Sequence, residues 1–264
     1  MSFRNEFKMI KISIITICYN NERDIRETIE SVLGQSYNDI EYIIKDGGSK
    51  DGTLTVVEEY KDRITKIISA PDKGLYDAIN IGVKAATGDV VGLIHAGDCL
   101  HDEKVIEDIA RFFEGNDVDV MYGHSRIVDS NGNAKRLNIS PRYRKCLVEW
   151  GWMASHQSIY AKRDVFEKYG YYTQNVGGSG DYEWFVNIFY KHADDLKIKL
   201  NDRYIVRFSL GGQSTVNISS RVQKKNRNVL NQCWINNGLK PPFALPYRKF
   251  YWTMRQFVMA KIRW

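Results

Sequence analysis

The sequence of 264 residues predicts an α/β protein with a mainly parallel sheet flanked by helices. Three observations support this class. Residues 10–18 are nearly continuously apolar and rich in β-branched side chains, as in a strand buried on both faces of a parallel sheet. Short strands then alternate with helical segments of about 10 to 15 residues, which is typical of βαβ units. Asp98 follows a buried strand at 90–94, and open α/β sheets bind ligands at that edge.

The first half of the chain is read element by element. Apolar residues at helical spacing from Arg23 to Leu33 predict a helix that Gly34 closes. The elements that follow are a strand at 40–45, a helix at 54–60, a strand at 64–69, a short helix after Lys73-Gly74, the strand at 90–94, and a helix with apolar residues from 105 to 113 capped by Asp102.

The pattern changes near residue 118. Two apolar segments flank Asn131-Gly132 and predict a hairpin. The later elements are a segment at 150–160 that returns to the sheet, a helix at 164–169, a glycine loop at 177–180, a helix at 181–191, a strand at 204–210 with a loop at 211–214, and two helices separated by prolines 241 and 242. We expect one catalytic unit over 1–215, with halves 1–117 and 118–215, and a basic, aromatic helical extension over 216–264.

Bulk properties narrow the classes of function. The hydrophobic fraction of 43% supports a substantial core. The four cysteines lack C-x-x-C spacing, so a reducing compartment fits best. The start of the chain is a poor signal peptide because its apolar run carries Lys11, and no window approaches the roughly 18 apolar residues of a membrane span. The net charge of +6, with basic residues concentrated near the end, favours an anionic surface or ligand, and we expect no nucleic acid partner.

The loop at 46–53 presents two carboxylates and three glycines at a strand end. Glycines allow a ligand to approach the backbone, and an aspartate accepts hydrogen bonds from a base edge or a ribose hydroxyl. The alternative is that Asp51 or Ser49 only caps the next helix. A phosphate-binding P-loop is excluded here, because G-x-x-x-x-G-K-[ST] is absent from the sequence.

Asp98 is the candidate metal ligand. Gly97-Asp98 is also good turn chemistry, but Asp102 is the better helix cap, which leaves Asp98 without a structural role. One or two carboxylates are enough for Mg²⁺ or Mn²⁺ when water and phosphate oxygens complete the coordination shell. We therefore expect Asp98 to hold a divalent cation that in turn holds a diphosphate.

Asp181 has two interpretations, an N-cap after the glycine loop or a general base delivered by that loop. Glu183 complements the helix dipole in the first interpretation.

His156, beside Gln157, lies in an aromatic segment predicted as a strand, where a lone histidine is more often a core residue than a ligand. The other histidines lack the spacing of zinc ligands: His95, His101, His124 and His192.

In this order, the pieces resemble family 2 glycosyltransferases with the GT-A fold over residues 10–215. The matching segments are 13–20, 45–53, 72–80, 86–89, 95–98 and 180–183. Each segment is weak alone, and their ordered combination is highly specific. The resemblance implies a Rossmann-like, mainly parallel sheet with a nucleotide-sugar half over 1–117, a small mixed sheet in an acceptor half over 118–215, and transfer of sugar with inversion.

The resemblance also implies roles for single residues. The donor would be a UDP-hexose or UDP-N-acetylhexosamine, with Asp46 at the uracil. Asp98 would bind Mn²⁺ or Mg²⁺ as the end of a D-x-D-type motif, Asp181 would be the catalytic base, and His156 and Gln157 are assigned to the acceptor. The residues assigned to the nucleotide-sugar are Thr16, Tyr19, Asn20, Asp46, Lys73, Asp77, Asn80 and His95.

Two positions depart from the family pattern. Gly97 stands where the metal motif usually has a second acid, so we expect weaker metal binding or a first contact through water. Gly180 stands where the base motif of many members has glutamate, so Glu183 is a second candidate base.

The last helix, 247–264, combines aromatic and basic residues. Its apolar side chains fall near one face, and they are Tyr247, Phe250, Tyr251, Met254, Phe257, Val258 and Ile262; the basic residues elsewhere are Arg248, Lys249, Arg255, Lys261 and Arg263. Such a helix either lies on an anionic membrane surface or packs across the domain with a solvated basic face. In the first case we expect a cytoplasmic protein, peripheral on the inner face of the cell membrane.

The acceptor is the least defined partner. A membrane-bound enzyme would use a polyprenyl-diphosphate-linked sugar in O-antigen, capsule or exopolysaccharide assembly, and otherwise a free glycan. The competing class is a non-catalytic nucleotide-sugar-binding interaction module, against which the presence of both Asp98 and Asp181 argues. A nucleotidyltransferase normally needs a glycine-rich loop near the N-terminus, which the sequence lacks.

Overall fold

The computed structural model describes residues 9–129, 131–174, 176–209 and 220–262. The predicted loop at 211–214, the end of the strand at 204–210 and the last two residues of the terminal helix lie outside these ranges.

Within the described residues, nine strands form one sheet. They are β1 (Ile12–Cys18), β2 (Ile40–Asp46), β3 (Lys66–Ser69), β4 (Val90–Leu93), β5 (Asp98–Leu100), β6 (Val120–Val128), β7 (Ala134–Asn138), β8 (Ile159–Lys162) and β9 (Ile198–Ser209). Their order is β3-β2-β1-β4-β8-β6-β9-β5, with β7 paired to β6. The first four strands are parallel, and β8 joins them antiparallel to β4. The predicted α/β class is confirmed, and the mixed part continues the parallel sheet.

Helices cover both faces of this sheet. They are α1 (Ile25–Leu33), α2 (Thr53–Glu58), α3 (Leu75–Ala85), α4 (Val105–Gly115), α5 (Lys145–Glu149), α6 (Arg163–Tyr169), α7 (Gly180–Val186), α8 (Ser220–Asn236) and α9 (Leu245–Ile262). Ile14 of β1 packs in one hydrophobic cluster with α1 and α4, and the adjacent Ile15 packs in the other with α3. All seven residues of β1 are buried, so the prediction of a strand buried on both faces is confirmed.

Two local predictions are wrong, and one of the two interpretations of Asp181 is excluded. His156–Ser158 is a short 3₁₀ turn and not a strand, because the backbone N–H of Ser158 bonds back to Ser155 before β8 begins at Ile159. Asp102 does not cap α4, because its carboxylate accepts from the N–H of Lys104, which precedes the helix. Asp181 does not cap α7, because Ser179 holds the N-cap position and Asp181 is the second helical residue.

The two C-terminal helices pack on the part of the chain after residue 118. Cys233 and Trp234 of α8 and Leu245 of α9 belong to the same buried cluster as α7. The indole N–H of Trp234 donates to the hydroxyl of Tyr182 at 3.0 Å. The boundary at residue 216 stays a prediction, but the described part of the extension is packed against the rest of the protein.

Three cations of α9 turn inward, which argues against the predicted alternative of a solvated basic face, whereas Lys261 is exposed. The guanidinium of Arg248 donates to the carbonyl of Glu149 at 3.1 Å, and that of Arg255 donates to the carbonyl of Ile139 at 3.1 Å. Lys249 lies over the ring of Tyr182.

The opposite face of α9 is apolar and exposed. Phe250 is 60% exposed, Tyr251 is 62% exposed and Ile262 is 70% exposed. Other exposed members of the same face are Tyr247, Met254, Phe257 and Val258. In the part of the chain that the structure describes, no helix is both long and apolar enough to cross a bilayer.

Candidate functional site

The candidate site lies where the parallel strands end. Asp46 is the last residue of β2, and Asp98 follows the loop after β4. Because β1, β2 and β4 are parallel neighbours in register, their carboxyl ends lie at one edge of the sheet.

Asp46 organises the loop that follows it. Its carboxylate accepts hydrogen bonds from the backbone N–H groups of Gly48 and Ser49, and from the hydroxyls of Ser49 and Ser69. These hydrogen bonds hold the pKa of Asp46 below its usual value even though burial opposes that shift. The residue has no exposed surface, so its carboxylate serves the loop, and its predicted contact with a base stays a prediction.

A buried ion pair supports the same loop. The ammonium of Lys45 donates to the carboxylate of Asp72 at 2.9 Å and to the carbonyls of Asp46 and Ala70. Because Lys45 is completely buried, this pair fixes β2 to the segment that precedes α3.

The other predicted nucleotide residues differ in exposure. Tyr19 and Lys73 are exposed, whereas Thr16 is buried and its hydroxyl lies 3.0 Å from that of Tyr42. Asn20 has φ of 52° and receives a hydrogen bond from the N–H of Lys50. Tyr19, Asn20 and Lys73 therefore border the open side of the loop.

Asp77 and Asn80 hold backbone in place. Asp77 accepts from the N–H of Lys73 at 2.9 Å. The amide of Asn80 makes two hydrogen bonds to the backbone of Tyr172, at 2.7 and 3.0 Å. The side-chain amide of Asn80 therefore joins α3 to the segment at Tyr172.

Asp98 is a desolvated carboxylate. Burial raises its pKa to about 7, opposed by a hydrogen bond that the amide of Gln157 donates at 2.7 Å. No basic side chain among the described residues comes within 4.0 Å of the Asp98 carboxylate, so Asp98 has no ion-pair partner there. A carboxylate held this way suits a cation that arrives with the ligand.

The 3₁₀ turn joins Asp98 to Asp181. Gln157 bonds Asp98 with its amide nitrogen and receives the N–H of His95 with its amide oxygen at 2.9 Å. The adjacent His156 places Nδ1 3.6 Å from Oδ2 of Asp181. Two consecutive residues therefore contact the two carboxylates on which the predicted chemistry depends.

His95 and His156 form a close pair. Their Nε2 atoms are 3.0 Å apart, so one ring donates and the other accepts. Burial lowers the pKa of both rings, and the nearby Asp181 partly offsets this for His156. Nδ1 of His95 has no hydrogen-bond partner. A neutral His156 that donates from Nδ1 towards Asp181 and accepts from His95 satisfies this geometry.

Asp181 keeps 26% of its side chain exposed, and Glu183 is committed to another partner. The hydroxyl of Tyr76 lies 3.1 Å from Oδ1 of Asp181 and 2.9 Å from the carbonyl of Gly178. Glu183 instead accepts from the amide of Asn236 at 2.9 Å, and burial raises its pKa. The site geometry favours Asp181 over Glu183 as the base.

Both glycine departures have a structural reason. Gly97 has φ of 93°, a conformation that strains other residues, in the turn that delivers Asp98. A Cβ at Gly180 would lie 2.4 Å from the carbonyl oxygen of Thr173 and 2.9 Å from the ring of Tyr76. A second acid at either position would therefore require a different backbone.

A cation would find one protein ligand here. Among the described residues there is no group of three His, Cys, Asp or Glu side chains that could hold a metal ion. Asp98 fits a hard cation whose other ligands are water and diphosphate oxygens, because its carboxylate is partly buried without a compensating charge.

Comparison with known proteins places this geometry in a family. The model of glycosyl transferase family 2 matches residues 13–175, which is more than half of the chain. The chain belongs to glycosyltransferase family 2. An uncharacterized glycosyltransferase of Nostoc sp. is 37% identical to this family member over 126 residues, which are 46% of the chain and 38% of the relative. The chain thus matches well under half of that relative's length.

Solved structures agree on the GT-A fold of this family 2 glycosyltransferase. S. aureus TarS, residues 1–349, aligns with a TM-score of 0.66 at 16% identity, covering 97% of this chain and 72% of that chain. TarS has also been solved with UDP and with UDP-GlcNAc. The mannosyltransferase PcManGT of Pyrobaculum calidifontis, solved with GDP-Man and Mn²⁺, aligns with a TM-score of 0.62 at 14% identity, covering 97% of this chain and 74% of that chain.

Two neighbours of Asp181 escaped the sequence-based prediction. Tyr76 lies in a segment that was matched to the family, but no spacing rule links it to a residue 105 positions away. One predicted alternative made Lys249 a solvated cation of the last helix, yet it packs on Tyr182, the residue after Asp181. Only the packing of α3 and α9 brings these side chains to the site.

Proposed function

We propose that this family 2 glycosyltransferase moves a hexose or N-acetylhexosamine from a UDP-sugar to an acceptor hydroxyl with inversion. The observation that carries the proposal is the His156–Ser158 turn, which contacts Asp98 through Gln157 and Asp181 through His156. A carboxylate for the leaving diphosphate and a carboxylate for the attacking hydroxyl are thereby fixed to one rigid element.

The reaction is a single displacement at the anomeric carbon. Asp181 takes the proton of the acceptor hydroxyl while that oxygen forms a bond to the anomeric carbon. The bond from this carbon to the diphosphate oxygen breaks, and UDP leaves with the electron pair. Tyr76 and His156 hold Asp181 from two sides, so the carboxylate is oriented before the acceptor binds.

Asp98 would hold a divalent cation, Mn²⁺ or Mg²⁺. When bound, such a cation offsets the negative charge that develops on the departing diphosphate. Gln157 positions Asp98 for this task by a hydrogen bond to one carboxylate oxygen. Gln157 is 3% exposed, so we assign it to positioning and not to direct contact with the acceptor.

The donor nucleotide would lie against the loop that Asp46 organises. Tyr19, Asn20 and Lys73 border this loop on its open side, where Lys73 supplies a positive charge for the diphosphate. TarS, a structural neighbour, has been solved with UDP-GlcNAc, which supports a UDP-sugar. PcManGT has been solved with GDP-Man, so the nucleobase of the donor must be tested.

A screen of donors tests the proposed function. Purified protein with Mn²⁺ is incubated with UDP-, GDP- and dTDP-sugars, and released nucleotide is measured with wild type and Asp181→Asn. We expect release from a UDP-hexose or UDP-N-acetylhexosamine that Asp181→Asn abolishes. Asp62→Asn, an exposed carboxylate remote from the site, is the matched control. Release from none of these donors by the wild type would favour a non-catalytic binding module and contradict the proposal.

We also propose that α9 docks on an anionic membrane surface, with a polyprenyl-diphosphate-linked sugar of surface polysaccharide assembly as acceptor. The exposed aromatic face supports this, and charge complementarity selects the surface: after Asp202 the sequence contains no Asp or Glu. The membrane would be the inner face of the cell membrane, because donor sugars of this type are made in the cytoplasm.

Liposome flotation tests the membrane proposal. Removing 247–264 would also remove Trp252, whose indole N–H donates to the carbonyl of Trp150, so point variants are cleaner. We expect Phe250→Ser with Val258→Ser to lose flotation with phosphatidylglycerol liposomes. Ile235→Ser, an exposed apolar residue on α8, should float as wild type does. Equal flotation of all three proteins would contradict docking through α9.

A further inference from the structure

Lys249 is a cation without an anion. Its ammonium lies 4.4 Å from the ring centroid of Tyr182 and 3.6 Å from the sulfur of Met153. No carboxylate oxygen of the described residues comes within the 4.0 Å of an ion pair. A π face and a thioether are weak partners, so the charge of this partly buried side chain is left largely uncompensated.

The position of Lys249 links it to the reaction site. Tyr182, on which it packs, follows Asp181 directly in α7. Burial lowers the pKa of Lys249, and Asp181 is close enough to offset part of that shift. The neighbouring acid Glu183 is bonded to Asn236, and the neighbouring cation Arg248 is turned to the carbonyl of Glu149.

Lys249 also connects this site to the exposed face of α9. The next two residues, Phe250 and Tyr251, are 60% and 62% exposed on the outside of the helix. One short segment thus places an ammonium near Asp181 and aromatic rings on the outer surface. A molecule with a phosphate group and a long apolar chain matches both features.

We propose that Lys249 binds the phosphate group of a prenyl phosphate ester, which places the lipid carrier of the acceptor beside Asp181. The inference deepens the proposed function and rests on it. Because residues 13–175 alone match the family model, this acceptor contact comes from a part of the chain outside that match.

Calorimetric titration with geranyl phosphate, in the presence of saturating UDP and Mg²⁺, tests the proposal. UDP occupies the donor site, so the titration reports a second phosphate site. We expect binding by wild type, at least tenfold weaker binding by Lys249→Met, and binding within threefold of wild type by Lys249→Arg. Lys261→Met, an exposed lysine on the same helix, is the matched control and should bind as wild type does.

The outcomes separate the possible explanations. Binding by Lys249→Met equal to wild type, with unchanged melting temperature, would overturn the proposal, as would absence of binding by wild type. Inorganic phosphate should bind at least tenfold more weakly than geranyl phosphate, and equal affinity would overturn the lipid part of the proposal. Failure of UDP itself to bind would instead contradict the proposed function, and it is measured first in the same experiment.

Discussion

The Asp46 loop and the Asp181 site are both centred on a carboxylate, but they are assembled differently. Asp46 bonds to residues two and three positions along the chain, and to one at a separation of 23. Asp181 is oriented by Tyr76, at a separation of 105, and by a turn that is itself tied to His95 and Asp98 across 61 and 59 positions. The first is a local motif, and the second exists only in the folded chain.

This difference assigns different tasks to the two carboxylates. Asp46 is buried and saturated with hydrogen bonds, so it shapes a surface. Asp181 has two neighbours at 3.1 and 3.6 Å and keeps 26% of its side chain exposed, so it is available for proton transfer. Substitutions in the tertiary site should therefore change turnover or metal-dependent binding, while the Asp46 loop should respond mainly in stability.

The largest effect is expected for Asp181→Asn. An amide does not accept the acceptor proton, so kcat should fall by about 10³ or more, while the Kd of UDP stays within about twofold. Stopped assays of sugar transfer and UDP titration measure the two quantities. Glu183→Gln should retain most activity, because Glu183 faces Asn236. Loss of activity in Glu183→Gln with full activity in Asp181→Asn would make Glu183, and not Asp181, the catalytic base.

A smaller effect is expected for Gln157→Leu. The substitution removes the hydrogen bond to Asp98 and leaves the N–H of His95 unpaired, so metal-dependent UDP affinity should fall by about 10- to 100-fold. Titration of UDP with and without Mn²⁺ gives the ratio. Gln232→Leu, on the exposed surface of α8, serves as the control. Unchanged Mn²⁺ dependence in Gln157→Leu would show that the turn does not position Asp98.

The smallest effect, about tenfold for the first pH unit below 7, is a dependence on pH. The pKa of Asp98 is raised to about 7, and only the ionised carboxylate binds a cation. Affinity for a UDP-sugar with Mn²⁺ should be constant above pH 7 and fall by about tenfold per unit below it. A UDP-sugar is the suitable probe because its diphosphate is a diester without an ionisation in this range. The measurement uses Asp181→Asn to prevent turnover, and constant affinity from pH 5 to 8 would contradict the prediction.

The sequence predicted the elements whose pattern is local. The continuous apolar run of β1 and the helical spacing of α1 appear in the structure nearly as expected, because burial on both faces or on one face leaves a direct mark on composition. Asp46 and Asp98 could be located because each follows an apolar strand whose end is visible in the sequence.

The sequence could not predict what tertiary packing decides. The aromatic composition around His156 indicated a strand, but the structure has a hydrogen-bonded turn there. In this turn His156 lies near Asp181 and Gln157 bonds to Asp98. One predicted alternative placed the basic residues of α9 in solvent, whereas carbonyls at Ile139 and Glu149 bind two of them on the inner side of the helix. Nothing in the local pattern of α9 identifies those carbonyls as partners.

Titration of UDP with Mn²⁺ into Asp98→Asn and Asp181→Asn, side by side with wild type, tests the central claim most directly. The account predicts that Asp98→Asn loses the Mn²⁺-dependent part of UDP binding and that Asp181→Asn retains it. Equal Mn²⁺-dependent binding by wild type and Asp98→Asn would contradict the assignment of Asp98 to the diphosphate, and loss of UDP binding in Asp181→Asn would contradict the separation of the two carboxylates.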